Sequence, residues 1–262
     1  MSKVTIEDGK VIDVTEPKVK YCPLFKKHRG IDELNCESVR KNVEFRIERF
    51  GMCNGTRATR MKDFLNFGVS EMLSLALTEH LIDAAVIAAD GCGTVVLEDP
   101  EIVQGMGGRI SGIIETEPIQ KVVDDIGAER LLDPKTAKID QFEGVAKAYH
   151  MHYHTIAVTV ANAKDAQEIR DCFGMTTVII AVHTTGISEK DAEILFDTCD
   201  IITSCASKHI REIAKRRALL QAGTKVPVYA ASEVGAKIIK AKLDQLGREP
   251  DTGLDESPEP ML

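Results

Sequence analysis

The chain has 262 residues, of which 44% are hydrophobic and 28% are charged, proportions typical of a globular protein. The formal net charge is −8, aromatic residues make up 5% and tryptophan is absent, so no nucleic-acid partner is predicted. The start of the chain lacks the pattern of a secretion signal, and the apolar stretches are of strand length, so we expect a cytoplasmic protein with no membrane span. In that compartment the seven cysteines are expected to be reduced.

Three parts of the chain differ in composition. Residues 1–60 predict a small cysteine-containing N-terminal subdomain, with a hairpin over Lys3–Val14 that turns at Asp8-Gly9 and a helix over Ile31–Phe50. Residues 61–247 predict an α/β domain. Residues 248–262 are acidic and proline-rich, which predicts a disordered tail.

The α/β domain is predicted from alternating apolar patterns. A helix over Met61–His80 and a buried strand over Ile82–Ala89 come first, and glycine-rich loops then run to Gly112. The later predicted elements are helices Pro118–Ile126 and Ile139–Tyr149, strand Thr155–Val160, helix Ala163–Cys172, strand Thr177–Val182, helix Ser188–Thr198, strand Asp200–Ser204, helix Lys208–Ala222, strand Val226–Ala230 and helix Glu233–Leu246. Apolar strands separated by helices predict a doubly wound, mostly parallel, Rossmann-like sheet.

Ligands of such sheets bind at the carboxyl ends of the strands. Small, hydroxyl-bearing and polar residues follow most of the predicted strands, which indicates a pocket at that edge. The candidate cofactor-binding residues there are Gly91, Gly93 and Thr94 after the first strand, Thr184 and Thr185 after Val182, and Ser207 after Ser204, and Ser232 follows the last strand.

A second glycine cluster comprises Gly105, Gly107 and Gly108, followed by Arg109. It matches neither the dinucleotide fingerprint nor the Walker pattern. Its glycines would let a backbone approach a phosphate or a planar ring, with Arg109 as a bidentate anion contact. A flexible turn is the alternative.

The cysteines suggest two kinds of chemistry. Cys22 and Cys53 lie in predicted loops and, with Cys92, are the candidate ligands of a single metal ion or an iron–sulfur cluster, although no CxxC pair is present. Cys205 lies where a strand meets a helix, a position that lowers a thiol pKa and favours a thiolate ligand or a nucleophile. His183, at a predicted carboxyl end, is the second candidate catalytic residue.

Several segments together resemble one protein family. They are YCPLFKKHRGI, VEFRIERFGMCNGTR, DAAVIAADGCGTVV, VQGMGGRISGIIETEP, AVHTTG and SCASKHIRE. In order and spacing they resemble methanogenesis marker protein 8, a family of methanogenic archaea. The resemblance implies an anaerobic archaeal cytosol and protein partners in the methane-forming machinery, but it implies no reaction.

A shorter stretch, from Gly68 through Ile87, resembles a segment of the deazaflavin-reducing hydrogenase beta subunits. In those proteins the comparable unit adjoins a flavin and iron–sulfur clusters. Here the ferredoxin-type cysteine cassette is absent, and Ala161-Asn162 stands where that family has Pro-Cys. Flavin or deazaflavin is therefore the weaker cofactor expectation.

Three functional hypotheses follow from the sequence. The first is a methanogenesis accessory protein that holds a cysteine-ligated metal or iron–sulfur centre and assists cofactor or enzyme assembly. The second is an enzyme that binds a flavin-, deazaflavin- or nucleotide-like cofactor at the carboxyl edge of the sheet. The third is a non-catalytic adaptor of a larger complex.

Overall fold

The computed structural model describes residues 2–62, 67–108 and 112–262. The strands are β1 (Val4–Glu7), β2 (Lys10–Val14), β3 (Ala84–Ala89), β4 (Gly93–Leu97), β5 (Ile156–Val160), β6 (Thr177–Ala181), β7 (Ile201–Thr203), β8 (Leu220–Ala222) and β9 (Val228–Ala230). The helices are α1 (Pro23–Arg29), α2 (Cys36–Phe50), α3 (Val69–Thr78), α4 (Pro100–Gly107), α5 (Gln120–Ile126), α6 (Gln141–His150), α7 (Ala163–Phe173), α8 (Glu189–Thr198), α9 (Lys208–Arg217) and α10 (Glu233–Gln245).

A seven-stranded sheet with the order β4-β3-β5-β6-β7-β9-β8 forms the centre of the protein. Strands β3, β5, β6 and β7 are parallel, whereas β4 and β9 pair antiparallel with their neighbours. The mixed α/β class with a mostly parallel central sheet is thus confirmed. Within the described strands the parallel order never reverses, so the sheet has no switch point of the kind at which doubly wound folds bind ligands.

Both faces of the sheet are covered by helices. Alternate residues of β3 point to opposite sides. Ala85 and Ile87 belong to the buried cluster that includes residues of α3, α4, α5 and α10, whereas Ala84 and Val86 belong to the cluster that includes residues of α6, α7, α8 and α9. Because both faces are buried, the strands are apolar throughout instead of alternating with polar residues. None of the helices in the described part of the chain is long and apolar enough to cross a membrane.

The predicted glycine-rich loops up to Gly112 are partly wrong. Strand β4 returns antiparallel along β3, with Gly93 opposite Ala89, and helix α4 follows directly. The hairpin forms because Gly91 has a φ of 77° and permits the tight turn. Asp99 caps α4 by accepting the Glu101 N–H at 2.9 Å.

The end of the domain also differs from the prediction. The helix that begins at Lys208 ends at Arg217, and Leu220–Ala222 forms β8 instead of its last turn. Strand β9 runs antiparallel to β7, so Ser232 leaves it at the opposite edge, where its hydroxyl donates to Asp200 at 2.6 Å. Ser232 is therefore not part of the carboxyl edge.

The N-terminal hairpin forms as predicted, with the turn at Asp8-Gly9. The helix predicted over Ile31–Phe50 begins only at Cys36, and Pro23–Arg29, predicted as a loop, forms α1. Asn35 begins α2 in a capping box with Ser38. The division of the chain into three domains stays a prediction. The disordered tail is not confirmed, since the Glu259 N–H donates to the Tyr21 carbonyl at 3.0 Å and the Leu262 N–H to the Ala206 carbonyl at 2.8 Å.

Candidate functional site

Two loops meet at the carboxyl ends of β6 and β7. We call residues 183–186 and 204–207 together the β6–β7 site. The Thr184 hydroxyl donates to the Thr203 carbonyl at 2.6 Å, and the Ala206 N–H donates to the Thr185 hydroxyl at 3.2 Å. These bonds fix one loop against the other, because each joins a residue that follows β6 to one at the end of β7.

Both candidate catalytic residues have an unusual backbone. His183 has a φ of 58° and Cys205 a φ of 44°, values in the left-handed region that residues with a Cβ rarely adopt. Such conformations persist only where the surroundings enforce them, and they cluster at active sites and ligand clamps. The structure thus places the two residues chosen for their chemistry in the same strained conformation on adjoining loops.

Cys205 lies just before helix α9. Ser207 caps this helix by accepting the Ile210 N–H at 3.3 Å, and the Thr203 hydroxyl lies 3.6 Å from the Cys205 sulfur. Arg211, one turn into the helix, donates to the Cys205 carbonyl at 3.2 Å. Side chains from strand and helix therefore hold the loop that carries this thiol.

Arg211 also connects Cys22 to this region. The guanidinium is buried, and burial lowers its pKa, an effect opposed by the Tyr229 phenol and by the nearby thiols of Cys205 and Cys22. Cys22, predicted as a metal ligand, precedes α1 and is half-buried. The Cys22 thiol therefore lies close enough to the Arg211 guanidinium to act on its pKa.

Two buried polar atoms at this place have no hydrogen-bond partner within the described residues. They are the Ser204 hydroxyl oxygen and the Nε of Arg211, whose residues are 0% and 4% exposed. Buried polar atoms are nearly always paired. Hydrogen-bonding capacity therefore remains next to the β6–β7 site.

His183 makes folding sensitive to pH. Burial lowers the pKa of its imidazole, since a charged ring loses hydration. The unfolded chain consequently binds the proton more readily, so this contribution to stability is complete above pH ~6.5 and is lost as the pH falls toward the folded-state pKa. We expect His183→Gln to flatten the dependence of the free energy of unfolding on pH below ~6.5, measured by urea denaturation. An unchanged dependence would contradict the burial of the neutral ring, and His209→Gln serves as a control.

A second cluster lies where β3 ends, around Asp90. The Arg57 guanidinium, 0% exposed, donates from Nε to the Asp90 carboxylate at 3.0 Å. The backbone N–H of Cys53 donates to the same carboxylate at 2.7 Å. Arg57 also donates to the carbonyls of Gly105 and Met106 at 3.2 Å each. This pair fastens the N-terminal segment to the sheet and to α4.

The thiols of this cluster are poor thiolates. Burial first, and then the Asp90 carboxylate, raises the pKa of Cys53 and of Cys92 to about 12, so both are protonated thiols in the metal-free protein. Within residues 2–62, 67–108 and 112–262, no group of three or more His, Cys, Asp or Glu side chains is placed to hold a metal ion. The structure therefore does not assemble Cys22, Cys53 and Cys92 into one metal site.

The glycines after β3 contact protein atoms. The Gly91 N–H donates to the Thr116 hydroxyl at 2.9 Å, and Gly93 lies against the backbone of Ala137. The Thr94 hydroxyl donates to Gln141 at 2.7 Å. These contacts explain the residue types through packing, and a cofactor role for Gly91, Gly93 and Thr94 stays a prediction.

The second glycine cluster lies at a helix end. Gly105 and Gly107 belong to the last turns of α4 and Gly108 follows it, while Arg109 lies outside the described residues. The carboxyl end of a helix carries partial negative charge, which disfavours an anion. Gly105 instead permits close approach of the Thr59 carbonyl, which a Cβ would overlap. Phosphate binding by this cluster stays a prediction without support from its position.

A cleft of about 340 Å³ lies at the end of β4, the strand at one side of the sheet. The residues that line it include Arg60, Glu98, Asp99 and Arg130. Its charges neutralise one another: Arg60 pairs with Asp99 at 2.6 Å, and Arg130 pairs with Glu98. The cleft therefore offers a ligand few uncompensated charges.

Sequence reasoning missed Arg57 and Arg211. Arg211 belongs to a cationic helical run whose charges are normally solvated, yet only 4% of it is exposed. Arg57 follows a turn with no flanking motif. No local pattern marks either residue, because their burial depends on partners far away in the chain.

Comparison with known proteins identifies the family. Residues 1–244 match the family described as "Uncharacterized protein conserved in archaea (DUF2099)". The chain is 43% identical over 252 residues to "Uncharacterized protein MJ0054" from Methanocaldococcus jannaschii, covering 94% of this chain and 89% of the relative.

No solved structure matches this chain significantly. The methanogen relative agrees with the archaeal setting that the sequence resemblance implies, and the narrower name, methanogenesis marker protein 8, stays a prediction. On the extent of these matches, the chain belongs to the DUF2099 family of conserved archaeal proteins.

Proposed function

We propose that this chain is a cysteine-dependent enzyme that acts on a small polar molecule at the β6–β7 site. Cys205 is the nucleophile and His183 the general base. The observation that carries the proposal is that both residues adopt the left-handed backbone conformation on loops that are hydrogen-bonded to each other. Five other non-glycine residues of the described chain also have a positive φ, so the support comes from the position of this pair on hydrogen-bonded loops and not from strain alone.

The surrounding residues support the same chemistry. Burial lowers the pKa of His183 and so favours the neutral ring, the form that can accept a proton. His183 would take the thiol proton of Cys205, and the thiolate would then add to a carbonyl carbon of the substrate. The C–S bond forms as the C=O π bond breaks, and the carbonyl oxygen that receives the electron pair takes the proton back from the His183 imidazolium. The Ser204 hydroxyl, which has no partner among the described residues, and the Thr185 hydroxyl would provide hydrogen bonds for a polar ligand.

The proposal is tested without knowing the substrate. We expect His183→Asn to reduce the rate at which iodoacetamide alkylates Cys205 at pH 7 by about 10². The rate is followed peptide by peptide by mass spectrometry between pH 5 and 9. Exposed Cys172 is the control in the same molecule and should react equally in both proteins. Identical Cys205 profiles in both proteins would refute the assignment.

A ligand screen complements this test. Flavins, deazaflavin and nucleotides are compared by thermal shift in the wild-type chain and in Cys205→Ala. A ligand that binds at the β6–β7 site should raise the Tm of the wild-type chain. Because a methanogen holds a close relative, we place the activity within the metabolism or enzyme assembly of such archaea. No feature of the described residues favours a metal centre or an adaptor role over thiol chemistry.

A further inference from the structure

The acidic end of the chain lies across the β6–β7 region. We call residues 255–262 the strap. The Glu256 carboxylate accepts a hydrogen bond from the Tyr21 hydroxyl and pairs with Lys225 at 2.6 Å. Ser257 accepts from Arg211 at 3.3 Å, and Pro258 is buried. The strap therefore has defined partners, and one of them is the arginine that lies near both thiols.

The rest of the strap bonds to the neighbours of the two thiols. The backbone of Glu259 exchanges hydrogen bonds with Tyr21, which precedes Cys22. The Leu262 N–H donates to Ala206, which follows Cys205, at 2.8 Å, and the Leu262 carbonyl accepts from Lys208 at 3.0 Å. The strap thus binds one residue beside each thiol and spans the gap between them.

Most attachments of the strap are polar and near the surface. Glu259 and Pro260 are exposed, and Pro258 is its one buried residue. Segments with few buried apolar contacts open locally at a lower free energy than global unfolding requires. The strap can therefore leave its place while the sheet stays folded.

We infer that the strap is a gate that covers Cys22 and Cys205 when bound and admits small electrophiles to them when it opens. The biological consequence, control of substrate access, rests on the proposed function. The gating itself does not, because it concerns only whether the thiols can be reached. If His183→Asn leaves the alkylation of Cys205 unchanged while Glu256→Ala still speeds labelling, the proposed enzyme is refuted and the gate is supported.

The test is thiol labelling by N-ethylmaleimide with peptide mass spectrometry. In Glu256→Ala, which removes the carboxylate that Tyr21 and Lys225 share, we expect Cys22 and Cys205 to label about tenfold faster. Glu249→Ala, a change of the same kind at an exposed position before the strap, should leave both rates unchanged. Exposed Cys172 should react alike in all proteins, and buried Cys199 reports global unfolding.

Amide hydrogen exchange in the wild-type chain supplies a second test that needs no variant. The amides of Lys208, Glu259 and Leu262 should exchange at least tenfold faster than those of the sheet, for example Ile179. Unchanged labelling of Cys22 and Cys205 in Glu256→Ala would overturn the gate. If Cys199 also labels faster in Glu256→Ala, the variant unfolds globally and the hydrogen-exchange result decides. Strap amides that exchange as slowly as the sheet amides would then overturn the gate.

Discussion

Replacing Arg57 by methionine is expected to lower the free energy of unfolding by about 3–5 kcal/mol. The change leaves the Asp90 carboxylate buried without its cation, since both side chains are almost wholly inaccessible. It also removes the donors to the carbonyls of Gly105 and Met106. Urea denaturation followed by circular dichroism measures the effect, and the midpoint should fall without a change in slope.

Two further variants separate the ion pair from simple loss of a side chain. Arg57→Met combined with Asp90→Asn removes the uncompensated charge while keeping an acceptor for Cys53, and it should recover part of the stability. Lys41→Met breaks the exposed pair with Glu37 at 2.6 Å, and it should cost no more than ~0.5 kcal/mol. Equal losses in Arg57→Met and Lys41→Met would show that the Asp90 cluster does not fasten the N-terminal segment.

Gly93→Ala is expected to destabilise the protein by about 3 kcal/mol or more. Gly93 has a φ of 64°, and a Cβ there would overlap the carbonyl oxygen of Ala137. Relief of that clash would draw β4 away from Lys138, whose carbonyl accepts the Thr94 N–H at 3.0 Å. The expected loss therefore combines backbone strain with the separation of two packed segments, and thermal and urea denaturation measure it.

Two other glycines separate the destabilisation caused by backbone strain from that caused by the overlap with Ala137. Gly186 has a φ of 78° with open space around its Cβ position, so Gly186→Ala should lose only the strain of about 1–2 kcal/mol. Gly55 has neither a positive φ nor a close neighbour, and Gly55→Ala should change stability by less than ~0.5 kcal/mol. A loss for Gly93→Ala no greater than for Gly186→Ala would contradict the close approach of Ala137.

The sequence was least informative about the end of the domain and about the site. Leu220–Ala222 continues an apparently helical run, and it becomes strand β8 because β9 supplies partners for its backbone. The pairing of distant strands overrides local propensity, which is a weak preference. The same pairing reverses β9 and removes Ser232 from the carboxyl edge.

The candidate site shows a similar division. That His183 and Cys205 leave successive strands could be predicted from their positions, since parallel neighbours end at one edge. Their shared left-handed backbone could not, because glycine is the usual residue there and no pattern announces an exception. The sequence also does not show which thiols lie near which arginine. Cys22 and Cys205 lie near Arg211, and Cys53 and Cys92 lie near Arg57. Both arginines are buried by contacts with residues far away in the chain.

The class of the protein can be predicted from the sequence alone, because apolar strands of five to eight residues, separated by helices, have few ways to become buried other than in a layered α/β sheet. The order of apolar and polar residues encodes this directly, because burial on two faces requires it. Tertiary contacts alone place the acidic tail against Ala206 and Arg211 and bury Arg57 inside the protein. A charged residue is buried only where its partner has been placed by the fold, and no single stretch of sequence contains both.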